Sequence, residues 1–291
     1  MIFKNETGNS VVSKSRKDDG MKERVRTGLI LAVLLIPLLF VPAMFFHAFI
    51  AVLVVLSARE LTNVSVLDKE VRPVAFLYLG GWAVLLYASF LAAYLGYLDA
   101  LWVFSLVVGV FLSGVALVVF NVFSYEQLTR LFLSILYIGL TFFSISVLRT
   151  IGLSALIFLL ILSMFTDVFA YFVGMKFGKT KLAPLISPKK TVEGFLGGTL
   201  VAAISASVFA HMTELYTFAG PLPILLAFLV AWFVAMSAQV GDLFASSMKR
   251  YYGIKDFSSL LPGHGGVLDR LDSTLFAGLV LTLAFLIYGG I

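Results

Sequence analysis

The chain has 291 residues, of which 60% are hydrophobic and 13% are charged, and its mean hydropathy is +1.03. Soluble domains usually carry about a quarter charged residues, so this composition excludes an ordinary soluble protein. The formal net charge of +5 is therefore read as membrane topology rather than as nucleic-acid binding. Cysteine is absent, which excludes disulfide bonds and thiolate metal sites and leaves oxygen ligands and three histidines.

Long apolar runs occur throughout the chain. A bilayer span needs about 20 consecutive apolar residues. Nine runs approach that length, and they cover residues 27–46, 47–62, 73–95, 99–120, 128–148, 152–176, 194–213, 221–243 and 271–289. The second run is short enough to be tilted, re-entrant or continuous with the first. The pattern predicts an all-α polytopic membrane protein with about nine transmembrane helices.

Positive charge is distributed unevenly about these runs. With nine spans and a cytoplasmic amino terminus, every Lys and Arg except Arg149 falls on the cytoplasmic side. Because cytoplasmic loops are enriched in Lys and Arg, this asymmetry supports both the count and the orientation. The carboxy terminus is then outside, and we expect a bacterial inner (cytoplasmic) membrane with the functional site facing the cytoplasm.

Three regions follow from the composition along the chain. Residues 1–20 are polar and mixed in charge, so we expect a disordered arm, added before a native start at Met21. Residues 21–150 form an N-terminal transmembrane region of about five helices without a cluster of ionisable groups. Residues 151–291 form a C-terminal region of about four helices, which carries the candidate site.

The eighth run is expected to continue as a helix past the bilayer to Tyr252, since nothing after Asp242 breaks it. One face of that extension then carries Asp242, Ser246, Lys249 and Arg250, at helical spacing. Lys249 and Arg250 are equally explained as membrane anchors. Asp242 is a candidate site residue, because a carboxylate beside an apolar helix is costly without a cation.

The next loop, GIKDFSSLLPGHGGVLDRLD, is rich in Gly and Pro, which forbid a long helix and let the backbone approach a ligand closely. Asp269 and Asp272 follow at i and i+3, so both face one way at the start of the last helix. Acidic residues also favour helix N-termini, so the pair is weak by itself. With Asp242 it predicts three carboxylates beside four cationic side chains, typical of a metal and phosphate site.

Two more features lie upstream. Asp167 is placed about nine residues, or roughly 13 Å, inside the sixth run, where it either packs as a protonated or hydroxyl-bonded acid or reaches a cation or polar cavity. Ser187 and Pro188 are predicted as N-cap and N1 of the following helix, with Lys189 and Lys190 in its first turn. Helix amides plus lysines bind phosphate well, although solvated anchor lysines explain the same pattern.

The three histidines differ in setting. His47 and His211 stand singly near span ends, so packing or interfacial roles are expected. His264 lies in PGHGG within the charged loop, where its ring can bond a phosphate or tune an aspartate.

The stretch from Ser246 to Asp272, SSMKRYYGIKDFSSLLPGHGGVLDRLD, resembles the signature of phosphatidate cytidylyltransferases, also called CDP-diacylglycerol synthases, without departure. The residue types required at fixed spacing are Ser246, Lys249, Arg250, Lys255, Asp256, His264, Gly265, Gly266, Asp269, Arg270 and Asp272. The segments TDVFAYFVG and ISPKKTVEG also resemble that family. The resemblance is strong over residues 150–291 and extends to the first half only in hydropathy.

The resemblance implies an enzyme that transfers the cytidylyl group of CTP to phosphatidic acid, giving CDP-diacylglycerol and pyrophosphate for phospholipid biosynthesis. It implies Mg²⁺ on Asp carboxylates, with room for a second cation, and the cluster described above makes Asp242, Asp269 and Asp272 the predicted ligands. The catalytic set then comprises these carboxylates with Lys249, Arg250 and His264. Substrate-binding residues are expected at Ser246, Lys255, Asp256, Gly265, Gly266, Arg270, Lys189, Lys190 and Asp167.

Expected partners are CTP, phosphatidic acid and the bilayer, with no nucleic acid. A homodimer is expected as well, because two-fold dimers are the commonest oligomers.

Two other functions remain open at the level of sequence. A CTP-dependent polyprenol kinase would use similar ions but accept a lipid alcohol, and the HGG loop with DRLD argues against it. A secondary transporter is suggested by Asp167 and by the glycine pairs at 80–81 and 197–198. Transporter sites favour the bilayer midplane, whereas the predicted cluster gathers at one face.

Overall fold

A computed structural model describes residues 26–66, 69–97, 101–118, 123–215 and 223–287. The predicted arm of residues 1–20 lies outside this part of the chain. The helices are α1 (Arg26–Phe40), α2 (Ala43–Ser65), α3 (Arg72–Tyr94), α4 (Leu101–Val118), α5 (Tyr125–Ile151), α6 (Leu153–Phe177), α7 (Val192–Met212), α8 (Pro223–Tyr251) and α9 (Leu268–Ile287). Two short strands, β1 (Lys181–Ala183) and β2 (Ser187–Thr191), lie between α6 and α7.

Seven of the nine helices in the described residues are long and apolar enough to cross a bilayer. The chain is therefore an integral membrane protein, although nine crossings are not confirmed. The two shorter apolar helices are α1 and α4, whereas the short run predicted at 47–62 belongs to the 23-residue helix α2. The first break falls earlier than predicted because Pro42 is the N-cap of α2, and a proline disfavours helical backbone in the residue before it.

Strands β1 and β2 form an antiparallel pair, which corrects the all-α prediction locally. The predicted caps at Ser187 and Pro188 are also wrong, since both residues lie in β2 and α7 begins only at Val192. Thr191 is the N-cap, and its side-chain oxygen accepts a hydrogen bond from Gly194 N at 3.1 Å. The fixed φ of proline suits an extended strand as well as a helix start, which explains the ambiguity.

Small residues let α6 and α7 pack closely. A Cβ atom at Gly198 would lie 2.7 Å from the backbone nitrogen of Ala170, and one at Gly194 would lie 2.6 Å from the Ala170 carbonyl oxygen. Only glycine therefore fits at these two positions. The glycine pairs at 80–81 and 197–198 lie inside the uninterrupted helices α3 and α7, so neither pair marks the broken helix of a transporter site.

Helix α5 connects the two halves of the bundle, since it packs against α2, α3 and α9. Its side chains Ile138, Phe142 and Leu148 are fully buried in the core. Thr282 of α9 donates a hydrogen bond from Oγ1 to the Ser144 carbonyl oxygen of α5 at 3.1 Å. This packing supports the helix that begins with the DRLD segment.

Candidate active site

The last turns of α8 face the first turn of α9. Helix α8 runs without a break to Tyr251, which confirms the predicted extension, and it packs along α9. Ser246 donates a hydrogen bond from Oγ to Asp242 Oδ1 at 3.2 Å. The predicted stripe of polar residues on α8 therefore lies on the side that meets the acidic helix start.

Lys249 joins the two helices through a buried ion pair. Its Nζ lies 2.8 Å from Asp269 Oδ1 and 3.9 Å from Asp272 Oδ2. The side chains of Lys249 and Asp269 are only 10% and 2% exposed. Because so little water reaches this pair, Lys249 is more than a solvated membrane anchor. It neutralises the acidic start of α9.

Both oxygens of Asp269 bond to the protein. Oδ1 accepts from Lys249, and Oδ2 accepts from Phe257 N at 2.8 Å and Gly266 N at 2.9 Å. Asp269 thus ties both ends of the loop between α8 and α9. Gly265, at φ +81°, allows this closure, since a Cβ there would lie 2.8 Å from Asp269 Oδ2. Asp269, which the sequence predicted as a metal ligand, therefore holds the loop in place.

The β1–β2 hairpin reaches the same place from the other side. Lys190 Nζ lies 2.6 Å from Asp242 Oδ2, with both side chains partly buried. The sequence placed Lys190 in the first turn of a helix, whereas it projects from β2 toward α8. Lys189 is exposed on the same strand. The two lysines therefore flank the carboxylates without being part of a helix N-terminus.

Asp167 belongs to this cluster. Ser273 of α9 donates a hydrogen bond from Oγ to Asp167 Oδ2 at 3.1 Å. Asp167, Asp242 and Asp272 are close enough to repel one another electrostatically. Asp167 is nevertheless open on one side, because it lines a cavity. Asp167 therefore both bonds a hydroxyl and borders a polar cavity, which are two of the settings predicted for it.

The cavity has a volume of about 360 Å³ and lies between α6, α7, α8 and the hairpin. Its charged and polar walls include Asp167, Lys181, Lys189, Lys190, Gln239 and Asp242. Gln239 is held in place by hydrogen bonds from Nε2 to Phe195 O and Thr199 Oγ1, both at 2.8 Å. The size is within the range of small-molecule sites, and three lysines favour an anionic ligand.

The cluster has the donor chemistry of a hard cation such as Mg²⁺, which prefers carboxylate oxygens. Over the described ranges, however, no three His, Cys, Asp or Glu side chains are arranged to hold a metal ion. The ammonium groups of Lys190 and Lys249 lie against the carboxylates instead. Asp272 interacts electrostatically with both Asp242 and Asp167.

The other predicted residues lie around this cluster. Arg250 is exposed and donates from Nε to Ile186 O at 3.3 Å and from Nη1 to Ile254 O at 2.9 Å, so it bridges the hairpin and the loop. His264 lies near Gly28 of α1. A Cβ atom added to Gly28 would be 3.7 Å from Nε2 of His264. Lys255 and Asp256 of the loop and Arg270 of the first turn of α9 are exposed.

The histidines outside the loop lie elsewhere. His47 Nε2 is 3.3 Å from Thr150 Oγ1, between α2 and α5, which agrees with a packing role. His211 is exposed in the last turn of α7. Neither histidine adds to the charged cluster.

Sequence reasoning missed Glu60. This carboxylate lies near the end of α2, is only 3% exposed and accepts three hydrogen bonds from the loop and the start of α9. The available signal was a single acid, next to Arg59, near the end of a long and mostly apolar helix. A buried carboxylate of that kind requires partners.

Comparison with known proteins identifies the family. A family model described as "Cytidylyltransferase family" matches residues 22–288. The chain belongs to this family. It is 33% identical over 263 residues to a phosphatidate cytidylyltransferase of Bacillus subtilis, covering 88% of this chain and 94% of the relative. It is 32% identical to a phosphatidate cytidylyltransferase of Staphylococcus haemolyticus, covering 88% and 95% of the two chains.

Replacing Arg250 with Lys should lower kcat/KM for CTP by about tenfold, the lower range for losing a charge-assisted hydrogen bond. Lysine lacks the guanidinium fork that holds Ile186 O and Ile254 O together. Steady-state kinetics with Arg59→Lys, an exposed arginine on α2, as the matched control checks the effect. Unchanged kcat and KM in Arg250→Lys would reduce Arg250 to a topology anchor.

Proposed function

We propose that this membrane protein catalyses the reaction named for its relatives, transfer of the cytidylyl group of CTP to phosphatidic acid. The products are CDP-diacylglycerol and pyrophosphate. One observation carries the assignment: Asp269, Asp272 and Lys249 of the family signature gather with Asp242 and Lys190 beside a cavity that three lysines line. Membership of the cytidylyltransferase family supports the same reaction.

The cavity is the proposed site for CTP. Lys181, Lys189 and Lys190 line it and attract the triphosphate, with Lys190 carried over Asp242 by the hairpin. Arg250 keeps the hairpin turn in contact with the loop. The three lysines thus neutralise negative charge on the phosphates, which is the main demand of phosphoryl and nucleotidyl transfer.

Magnesium is the proposed cofactor. Asp242 and Asp272 are its proposed ligands, and Asp167 replaces Asp269 as the third, because both Asp269 oxygens already bond to Lys249 and the loop. When bound, Mg²⁺ would polarise the phosphates and neutralise charge on the leaving group. A second cation would lie among the same carboxylates.

The transfer itself needs no general base. A phosphate oxygen of phosphatidic acid is already ionised and attacks the α-phosphorus of CTP in line with the leaving group. The bond from the α-phosphorus to the oxygen bridging to the β-phosphorus then breaks, and pyrophosphate leaves with the electron pair. Lys249 and Lys190 stabilise the negative charge that develops on the phosphates during transfer. His264 has a role in substrate binding.

The site's location suits one soluble and one lipid substrate. CTP arrives from water and phosphatidic acid stays in a leaflet, so the reaction belongs at the membrane interface. We propose that the α8–α9 loop and the hairpin face the cytoplasm of a bacterial inner membrane, as the positive-inside rule indicates. A homodimer is the proposed assembly.

A comparison of two lipid acceptors distinguishes this function from that of a CTP-dependent polyprenol kinase. Purified protein in mixed micelles is supplied with CTP, Mg²⁺ and either phosphatidic acid or a polyprenol. We expect a lipid product only with phosphatidic acid. Product formed from polyprenol and not from phosphatidic acid would reassign the chain to a lipid kinase.

Replacing Asp167 with Asn should lower kcat by at least about tenfold while the protein stays folded, because Asn keeps the size and removes the charge next to Asp242 and Asp272. Thermal unfolding in detergent and turnover are measured together. Ser273→Ala, which removes only the 3.1 Å hydrogen bond, should lower turnover less. Wild-type turnover in Asp167→Asn would remove this residue from the site, and lost stability with normal turnover would make it structural.

A further inference from the structure

Glu60 lies in the N-terminal half of the chain yet contacts the loop before α9. It belongs to the last turns of α2 and its residue surface is 3% exposed. A carboxylate buried at the end of an apolar helix is expensive unless hydrogen-bond donors surround it. The donors in this case come from residues about 200 positions later in the chain.

Three donors converge on the Glu60 carboxylate. Oε1 accepts from Ser258 Oγ and from Val267 N, both at 2.8 Å, and Oε2 accepts from Leu268 N at 3.0 Å. Leu268 is the first residue of α9. The first N–H groups of a helix have no partner within it, and negative charge is favourable at that end. Glu60 therefore acts as an N-cap supplied by a different helix.

Glu60 and Asp269 together hold three successive amides. Gly266 N donates to Asp269, and the next two amides donate to Glu60. A side chain at Gly266 would displace the Glu60 carboxylate, because a Cβ there would lie 2.4 Å from Oε1. The backbone that leads into DRLD is thus clamped between two carboxylates, one from each half of the chain.

We infer that Glu60 is a positioning residue for cytidylyl transfer. By fixing the start of α9 it sets the direction of Asp269 toward Lys249 and of Asp272 toward the carboxylate cluster. It touches no reacting atom and acts through the backbone. The inference rests on the proposed function of Asp272, and it gives the N-terminal helices a part in catalysis that their apolar sequence does not show.

The test combines turnover with backbone protection in Glu60→Gln. Gln keeps the shape but turns one acceptor oxygen into an NH₂ group, which faces an N–H donor. We expect kcat to fall about 10- to 100-fold, the range for residues that orient metal ligands, with little change in KM for CTP. Hydrogen exchange at Val267 and Leu268 should accelerate. Glu214→Gln, at an exposed carboxylate beyond α7, is the matched control and should change neither quantity.

A milder variant covers the case in which Glu60→Gln does not fold. Ser258→Ala removes one neutral donor to Glu60 and an exposed hydrogen bond accepted from Leu260 N. It leaves the hydrogen bonds from the two amides to Glu60, so the fold should persist. Turnover should fall about two- to tenfold, equivalent to the usual net contribution of one hydrogen bond. If Glu60→Gln fails to fold and Ser258→Ala has wild-type turnover, the positioning role of Glu60 is overturned.

The remaining outcomes separate this inference from the site assignment. Faster exchange with wild-type kcat in Glu60→Gln makes Glu60 a purely structural cap and overturns the inference. Unchanged exchange and unchanged kcat overturn it as well. Asp272→Asn is measured in parallel: wild-type turnover there overturns the proposed site, whereas an inactive Asp272→Asn beside a fully active Glu60→Gln overturns only the positioning role.

Discussion

Replacing Asp272 with Asn should reduce turnover by on the order of 10²- to 10³-fold, comparable to removing a group that stabilises developing charge. Asp272 Oδ2 lies 3.9 Å from Lys249 Nζ, and Oδ1 accepts a hydrogen bond from Ser273 N at 2.8 Å. Asn can keep the backbone hydrogen bond but not the charge. Since Asp272 lies beside Asp167 and Asp242, its loss weakens the proposed Mg²⁺ site directly.

Turnover of Asp272→Asn is measured over a range of Mg²⁺ concentrations together with thermal unfolding in detergent. Melting should stay near wild type, since Asn preserves size and the helix-start hydrogen bond. Glu214→Gln removes an exposed carboxylate just after the C-terminal end of α7, opposite the end that follows the hairpin, and supplies the control. Normal turnover of Asp272→Asn at millimolar Mg²⁺ would remove this carboxylate from the metal set.

Replacing Lys249 with Met should affect both stability and activity. Asp269 is 2% exposed, and without Lys249 it would be a buried charge whose remaining partners are two backbone N–H groups. Breaking a buried ion pair by removing one partner typically costs about 3 to 5 kcal/mol. Thermal or denaturant unfolding in detergent should therefore shift strongly, and turnover should be lost.

The double variant Lys249→Met with Asp269→Asn separates the two effects. The double variant has no charge at position 269, so the stability lost through Asp269 should recover in part. Turnover should stay lost because Asp272 still lacks its cation. A double-mutant cycle with the single variants gives the coupling energy. If activity recovered together with stability, Lys249 would be a structural residue only.

The membrane-spanning character and the α8–α9 region followed from the sequence. Apolar runs mark helices reliably because a bilayer requires about 20 apolar residues and internal backbone hydrogen bonding. The extension of α8 to Tyr251 followed from an unbroken helical stripe, and the glycines after it ended the helix. The local sequence was therefore sufficient to predict a helix where the helix depends on neighbouring residues alone.

The hairpin could not be predicted in the same way. Ser187 and Pro188 match a helix start, but the N-cap is Thr191, whose side chain bonds Gly194 N. Glu193 then accepts hydrogen bonds from Lys179 N and Thr180 N, which pins the beginning of the hairpin to α7. These contacts span about 14 residues and compete with the local cap signal. Tertiary context decided between two locally acceptable conformations.

The sequence alone also could not show which carboxylates hold the loop and which are available to bind a metal. The i, i+3 spacing placed Asp269 and Asp272 on one side of α9, but it could not show that Asp269 would bond Phe257 N and Gly266 N. Glu60 was missed for a related reason, since its partners are more than 190 residues away. Spacing identifies which residues share a face, and packing determines which oxygen meets which donor.

The position of a radioactive label tests the proposed reaction most directly. Purified protein is given phosphatidic acid, Mg²⁺ and CTP labelled with ³²P at either the α- or the γ-phosphate. Cytidylyl transfer predicts that the α-label enters the lipid extract and that the γ-label is released as water-soluble pyrophosphate. A lipid that carries the γ-label, or uptake of label into vesicles with no labelled lipid, would contradict it.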